Sequence, residues 1–340
     1  MKQVDREARA VQQVRSILRS ENLGVDDVDR ALEAAMGRRG SPVGERERQL
    51  GIEATELILA NKPLTDEHRA HLQSIIIGQG LRPAIDIEND AFDPLPDTWN
   101  DVNAARERLT PLIKSVGRVD VTGHPRLSFA GTAFACGPNL LLTNRHVAEE
   151  FMRADAAGAR LTLKPGMTAR VDTKQEVESA QQRIVALSGE AVFSTHWDVA
   201  ALPVAGLPPG LQPLPLASAP PASVDARTAV TIGYPAFDDD ENPVDQVTIF
   251  RNVFDKKRLL PGKFVGTFTV QSFGHDVQSL AHDCTTLGGN SGSAVIDVAT
   301  ARAFGVHFLG DPGVRNYCVP TWALLEDPAF ATIRGQMSFA

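Results

Sequence analysis

A change of hydrophobic period near residue 117 constrains this chain more than any other feature. Upstream of it, apolar residues recur every three or four positions. Val4, Ala8, Val11, Val14 and Leu18 form one stripe, Val25, Val28, Ala31, Leu32, Ala35 and Met36 a second, and Leu50, Ala54, Leu57 and Ile58 a third. That spacing puts each set on one face of an α-helix. Gly40-Ser41-Pro42 and Asn61 to Pro63 interrupt the pattern, and Thr65 is placed to cap a fourth helix ending near Gly78 or Gly80. Residues 1–88 are therefore expected to form a small helical unit for regulation or interaction. His68 and His71 lie three apart on its last helix and read as solvated surface histidines rather than metal ligands. Residues 89–116 begin with a stretch of linker composition, Asn89 to Asp97. A helix over Thr98 to Val116 follows, with Pro111 expected either to break it or to start a new one.

Downstream of residue 117, short apolar runs rich in β-branched residues alternate with small-residue breaks. They include Leu127 to Cys136, Ile184 to Ser188, Val192 to Thr195, Thr228 to Gly233, Phe264 to Gln271, Ser293 to Asp297 and Ala303 to Phe308. Many short strands with turns between them imply an all-β barrel or sandwich over residues 117–340. The proline-rich stretch Leu202 to Ser223 reads as a connector between two β halves. Asp238-Asp-Asp-Glu-Asn242 resembles the start of a calcium loop, but Pro243 stands where that loop needs glycine, so a solvated loop is expected. Val247, Phe250 and Phe254 follow at helical spacing, as an insertion packing on the barrel or as a lid.

Composition removes whole classes of function. The formal net charge of −8 gives no general attraction to nucleic acid. No run of 18 apolar residues exists, so no membrane span is expected. The first residues mix charges of both signs with no apolar core, unlike a secretory signal. Cys136, Cys284 and Cys318 make an odd count, which points to free thiols in a reducing, cytoplasmic setting.

Three local patterns carry chemistry. In Leu287-Gly-Gly-Asn-Ser291-Gly-Ser293, glycines let the backbone turn so that a hydroxyl and amide N–H groups converge on one point. In Leu141-Leu-Leu-Thr-Asn-Arg-His146, an apolar strand ends in a turn carrying a histidine. In His196-Trp-Asp198-Val-Ala-Ala-Leu202, an aspartate opens an apolar strand. A hydroxyl needs a neighbouring base to act as a nucleophile, and the base needs an orienting acceptor. The order His146, Asp198, Ser291 separates this arrangement from subtilisin-like and α/β-hydrolase ones. The hydrolase elbow also fails locally, since it needs glycine where Ser293 stands.

Gly131-Thr-Ala-Phe134, Thr143-Asn-Arg-His-Val147, Asp198-Val-Ala-Ala-Leu202 and Gly289-Asn-Ser-Gly-Ser293 resemble the motifs of trypsin-like serine endopeptidases. Asn290 before the serine and Gly-Val-His307-Phe308 after it are similar to the glutamyl endopeptidase branch and to bacterial intracellular trypsin-like peptidases. Gly233-Tyr-Pro-Ala236 and Lys257-Arg-Leu-Leu-Pro-Gly262 are similar to that intracellular group as well. The resemblance covers residues 117 to 330. It implies an all-β double barrel of the chymotrypsin type, preceded here by the small α-helical domain. It implies His146, Asp198 and Ser291 as a triad, the amides of Gly289 and Ser291 as an oxyanion hole, and no metal or cofactor. It also implies a protein or peptide substrate, with the N-terminal helices as the surface for any protein partner. Thr285 stands where trypsin carries the aspartate that selects Arg and Lys, which disfavours that preference. Thr286 and His307 match positions that grip an acidic side chain in glutamyl endopeptidases. Asn290 cannot form the ion pair to a new N-terminus that activates trypsin. The competing reading is a catalytically inactive, protease-like binding module. It requires a broken triad or a crippled oxyanion loop, and the sequence contains neither.

Overall fold

A computed structural model describes residues 2–155, 160–239, 241–311 and 314–340. Asp240 of the acidic run lies outside the described residues, as does the Val4 side chain of the first stripe. The apolar stripes become helices α1 (Lys2–Ser20), α2 (Val25–Met36), α3 (Glu45–Leu59) and α4 (Asp66–His71). Val14, Leu18, Val28, Leu32, Ala54 and Ile58 close one apolar core between them. Side-chain oxygens that accept backbone N–H groups fix the helix starts. Gly24 N donates to the Asp27 carboxylate at 2.8 Å, Gly44 N to Glu47 at 3.0 Å, and His68 N to Thr65 Oγ1 at 3.2 Å. His68 is buried rather than solvated: its Nδ1 lies 2.9 Å from Thr65 Oγ1 and its Nε2 3.4 Å from Glu53. α4 runs directly into a π-helix, Leu72–Leu81, which ends at Arg82.

The segment expected as a linker is a strap tied to both β units. Ile85, Ile87, Phe92, Leu95 and Trp99 are buried in the core between the barrels. Asp90 receives both Arg183 Nη atoms at 3.0 and 2.8 Å and Lys174 Nζ at 3.0 Å, and Arg251 Nη2 donates to Asp86 at 2.6 Å. The strap includes strand β1 (Ile85–Asp86). Beyond it, the expected single helix is two, α5 (Asn100–Ala104) and α6 (Arg106–Lys114), divided at Ala105, with Pro111 accommodated inside α6.

Strands dominate the regular structure of the remaining chain. The first group is β2 (Val116–Thr122), β3 (Phe129–Gly137), β4 (Leu140–Thr143), β5 (Met152–Ala154), β6 (Leu161–Leu163), β7 (Thr168–Asp172), β8 (Ile184–Ala186), β9 (Val192–Phe193) and β10 (Ala200–Pro203). The second is β11 (Thr228–Gly233), β12 (Arg258–Ser272), β13 (His275–His282), β14 (Ala294–Asp297), β15 (Arg302–Asp311) and β16 (Arg315–Pro320). The first sheet runs β8-β7-β2-β3-β4-β10-β9 and curls shut. Leu187 bridges Val204, and Ser188 N donates to Pro203 O at 2.8 Å. The second runs β12-β11-β14-β15-β16-β13, and β13 pairs back onto β12, which closes it; β1 joins the other edge of β12. The expected all-β double barrel behind a set of helices is therefore the fold of this chain.

Strand alternation explains the continuous apolar runs. Ala133, Ala135, Leu141 and Leu202 fill the first barrel. Their neighbours Phe134, Cys136, Leu140 and Leu142 face the opposite way, into the core shared with Ile232, Ala294 and Val306 of the second barrel. Strands buried on both faces show no polar face in the sequence. The proline-rich connector crosses between the barrels, with Leu216 bridged to Ala303 and Phe339. α7 (Arg145–Phe151) lies between β4 and β5, and the expected insertion forms α8 (Pro243–Phe250), capped by Asn242 and packed against the π-helix of the helical unit.

Candidate active site

The antiparallel register of β4 and β10 sets Thr143 opposite Ala200. Three residues beyond Thr143 is His146, and two before Ala200 is Asp198, so the two side chains emerge together at one barrel end. His146 lies in the first turn of α7, whose Val147, Ala148 and Phe151 are buried. Asn144, fully buried, donates through Nδ2 to Asp198 O at 2.8 Å and locks the two turns together. Asp198, itself 6% exposed, accepts from His146 N at 3.0 Å and from Nδ1 at 2.5 Å. One carboxylate thus fixes the position, ring orientation and tautomer of a histidine whose side chain is 42% exposed. Asp172, a second carboxylate in this barrel, is committed elsewhere: it accepts from Lys174 N, Gln175 Nε2 and Arg183 N at 2.9, 2.9 and 3.0 Å.

Ser291 comes from the second barrel. Its loop turns at Gly289 and Gly292, where φ is 81° and 88°, a region closed to most side chains. Gly292 N donates to His307 O at 2.8 Å and His307 N to Ser293 O at 2.9 Å, pinning the loop to β15. Thr132 pins its other side: Thr132 N donates to Ser291 O and Thr132 Oγ1 to Gly289 O, both at 2.8 Å. Gly131 completes the joint. A Cβ there would lie 2.8 Å from both Ser291 O and Val147 Cγ2, so the Ser291 loop and the His146 helix meet on this residue. Asn290 is fully buried, and its Nδ2 closes the loop on Leu287 O at 3.2 Å. Among the described residues the Ser291 hydroxyl makes no hydrogen bond, and the amides of Gly289 and Ser291 donate to none. Hydrogen bonds of this kind are commonly long before substrate binds.

The second barrel also reaches across to the first beside His146. Arg145 Cζ sits 4.0 Å over the ring of Phe273, in the turn between β12 and β13, and the rings of His196 and His275 lie 4.2 Å apart.

The residues expected to bind substrate are differently employed than the sequence implied. The Thr285 hydroxyl donates to Arg82 O at 2.7 Å, and that of Thr286 to Asn316 Oδ1 at 2.8 Å, so neither hydrogen is free for a ligand. His307 is buried, 3.3 Å through Nδ1 from Nε2 of the fully buried His282. Burial, then the neighbouring His282 and His146, holds His307 well below the ordinary histidine range, and burial pushes His282 down to about 3. Both rings are therefore held toward their neutral forms, which disfavours a cationic His307. Arg82, Thr132 and Asn316 were not singled out from the sequence as individual residues of this region; only Thr132 had a local signal, within the Gly131-Thr-Ala-Phe motif. The cysteines are unpaired and buried, and burial pushes the Cys284 thiol up to about 12, which leaves it unreactive. Among the described residues no group of three or more His, Cys, Asp or Glu could hold a metal ion, and no helix is long and apolar enough to cross a membrane.

Residues 131–306 match the trypsin-like peptidase domain. A probable serine protease of Lysobacter enzymogenes is 31% identical over 280 residues, covering 73% of this chain and 72% of that protein. Among solved structures, the active form of the Rv3671c protease from M. tuberculosis aligns over 73% of this chain and 89% of its own, at 18% identity and a TM-score of 0.45. The serine endoprotease from Yersinia pestis aligns over 68% and 66%, at 15% identity and a TM-score of 0.43.

Proposed function

This chain belongs to the trypsin-like serine peptidase family, and we propose that it is an endopeptidase that cleaves protein substrates through an acyl-enzyme on Ser291. The observation that carries the reading is the double contact of Asp198 with His146, at the backbone N and at Nδ1. That contact leaves Nε2 as the basic nitrogen. Nε2 takes the Ser291 proton as Oγ attacks the scissile carbonyl carbon. The oxyanion that forms is held by the amides of Gly289 and Ser291. His146 then protonates the leaving amine, the peptide bond breaks, and a water molecule activated by the same nitrogen releases the acyl group. No cofactor enters this scheme.

Substrate choice follows from the pocket side of Ser291. Thr285 supplies no negative charge for Arg or Lys. In the tautomer in which His282 Nε2 donates to His307 Nδ1, His307 carries its hydrogen on Nε2 as a neutral donor. This supports cleavage after Glu or Asp over Arg or Lys, by hydrogen bonding rather than by charge pairing. Three buried thiols suit a cytoplasmic, reducing setting, and the helical unit is the surface offered to a protein partner.

The test is chemical. A fluorophosphonate should label the purified protein at Ser291, and Ser291→Ala should abolish labelling and lower peptide cleavage by several orders of magnitude while the fold persists. Near-normal cleavage by that variant would sink the assignment. A peptide-library profile dominated by Arg or Lys would refute the pocket reading alone.

A further inference from the structure

The helical unit and the segment leading to Ser291 share one buried joint. Arg82 ends the π-helix, its N donating to Ile77 O at 2.6 Å. Its side chain, 1% exposed, donates through Nε to Asp283 Oδ1 at 2.8 Å and through Nη2 to Asp283 Oδ2 at 2.7 Å. Nη1 donates to Leu81 O at 2.9 Å, and Nη2 also meets Glu21, just past α1. The guanidinium lies 5.4 Å from the ring centre of buried Trp99. Burial works against this charge, but Asp283 and Glu21 outweigh it and hold the guanidinium above its ordinary range. Asp283 is in turn fixed to β12: its Oδ1 accepts from Lys263 N at 2.7 Å and its N donates to Lys263 O at 3.0 Å.

The same arginine grips the segment a second time, because its carbonyl accepts from Thr285 Oγ1. On the far side, Asn316 Nδ2 donates to Cys284 O at 2.6 Å and Asn316 Oδ1 accepts from Thr286. Residues 283–286 are thus held between Asn316 of the barrel and Arg82 of the helical unit. Five residues beyond Thr286 is Ser291. Asn316 is built into the β16 ladder, while Arg82 is bonded to the end of α1 through Glu21 and to the π-helix through Ile77 O.

We propose that Arg82 is a positioning residue through which the helical unit sets the substrate-pocket segment 283–286, making the unit a required support of the pocket rather than a cover over the cleft. The proposal rests on the Ser291 peptidase reading and names how the helical unit acts on that site. Loss of the joint loosens substrate binding and leaves the nucleophile and its base in place. It appears as a raised KM with little change in kcat.

Arg82→Lys in the full chain is the first variant, since lysine keeps the charge but lacks the planar fork that serves Asp283 in two bonds. If it does not fold, Arg82→Gln combined with Asp283→Asn and Glu21→Gln replaces the ion pairs with neutral groups and leaves no buried charge unpaired. The readouts are fluorophosphonate labelling of Ser291, kcat and KM for the best library peptide, and the thermal midpoint. The expected result is labelling within about threefold of the parent and a KM raised about tenfold or more, since a small displacement of a pocket wall costs up to about a hundredfold. A folded, labelled variant with KM within about twofold of the parent overturns the proposal alone. Loss of labelling and kcat at unchanged KM also overturns it, by placing Arg82 under the nucleophile loop. Absence of labelling in the parent protein overturns the Ser291 reading and this one with it.

Discussion

The barrels and the helical unit hold their shapes by different kinds of contact. Around the Ser291 loop of the barrels, backbone meets backbone. A Cβ on Gly292 would lie 2.0 Å from Thr132 O, a main-chain atom of strand β3. In the helical unit, side chain meets side chain. A Cβ on Gly51 would lie 2.5 Å from Leu32 Cδ1, the far end of a flexible residue. Close-packed side chains can repack at modest cost, whereas main-chain contacts move only with the strands that carry them. The lesson is a division of labour. The barrels hold His146, Asp198 and the Ser291 loop in fixed relation, while the helical unit is joined to them through the ion pair at Arg82 and through the strap that carries Asp86 and Asp90.

The largest expected effects fall on the barrel side. Asp198→Asn should keep the fold and lower kcat by about four orders of magnitude, because the imidazole loses the acceptor that orients it. A loss of tenfold or less would mean that His146 is oriented some other way. Gly292→Ala comes next. It forces a side chain into positive φ and against Thr132 O, costing about 3 kcal/mol. It should also displace Ser291 and reduce activity about a hundredfold. Chemical denaturation and peptide kinetics measure the two consequences separately, and unchanged values for both would break the contrast between the regions.

Sequence patterns revealed what is local and missed what is not. The helical stripes and the apolar strand runs are short-range periodicities, so helices and strands were legible, and their order implied the double barrel. His146 and Asp198 stood out because each ends or opens an apolar strand, and the fold brings them into contact through the β4–β10 register. The Asn89 to Asp97 stretch misled, because its prolines and aspartates signal irregular backbone whether the chain is free or, as here, buried at Phe92 and Leu95. The Arg82–Asp283 pair spans 201 residues, and no pattern in a single sequence links two such distant positions. Burial of His307 is likewise a property of the packed barrel. Its neighbours in the chain, Gly-Val before and Phe-Leu after, fit an exposed or a buried strand equally.

Acid should distinguish the regions with a smaller effect. His282 and His307 are neutral in the fold, with values pushed down by burial, and each returns to about 6.5 on unfolding. Below about pH 6.5 the unfolded chain binds protons at both positions and the folded chain does not, so stability falls as pH falls. The slope is up to about 1.4 kcal/mol per pH unit for each histidine until the folded value, about 3 for His282, is approached. Hydrogen exchange at pH 5.5 against pH 7 should show amides of β13 and β15 losing protection before those of α2 and α3. A uniform loss across both regions would remove the histidine pair as the cause.

Gly51→Ala is the smallest expected effect and the sharpest probe of the helical side. Gly51 is buried inside α3, where glycine is about 1 kcal/mol less favourable than alanine. The added methyl must move Leu32 Cδ1, and a rotamer shifted from its minimum costs about 0.5–1.5 kcal/mol. These terms oppose each other, so the melting midpoint should change little, by no more than about 1 kcal/mol in stability. Peptide kcat and KM should stay within about twofold, because the strain is absorbed by the Leu32 side chain, which makes none of the hydrogen bonds of the Arg82 joint. A tenfold rise in KM in a folded Gly51→Ala protein would show that the helical core does not absorb strain but passes it to residues 283–286. The helical unit would then behave as rigidly as the barrels, and the contrast between the two regions would fail.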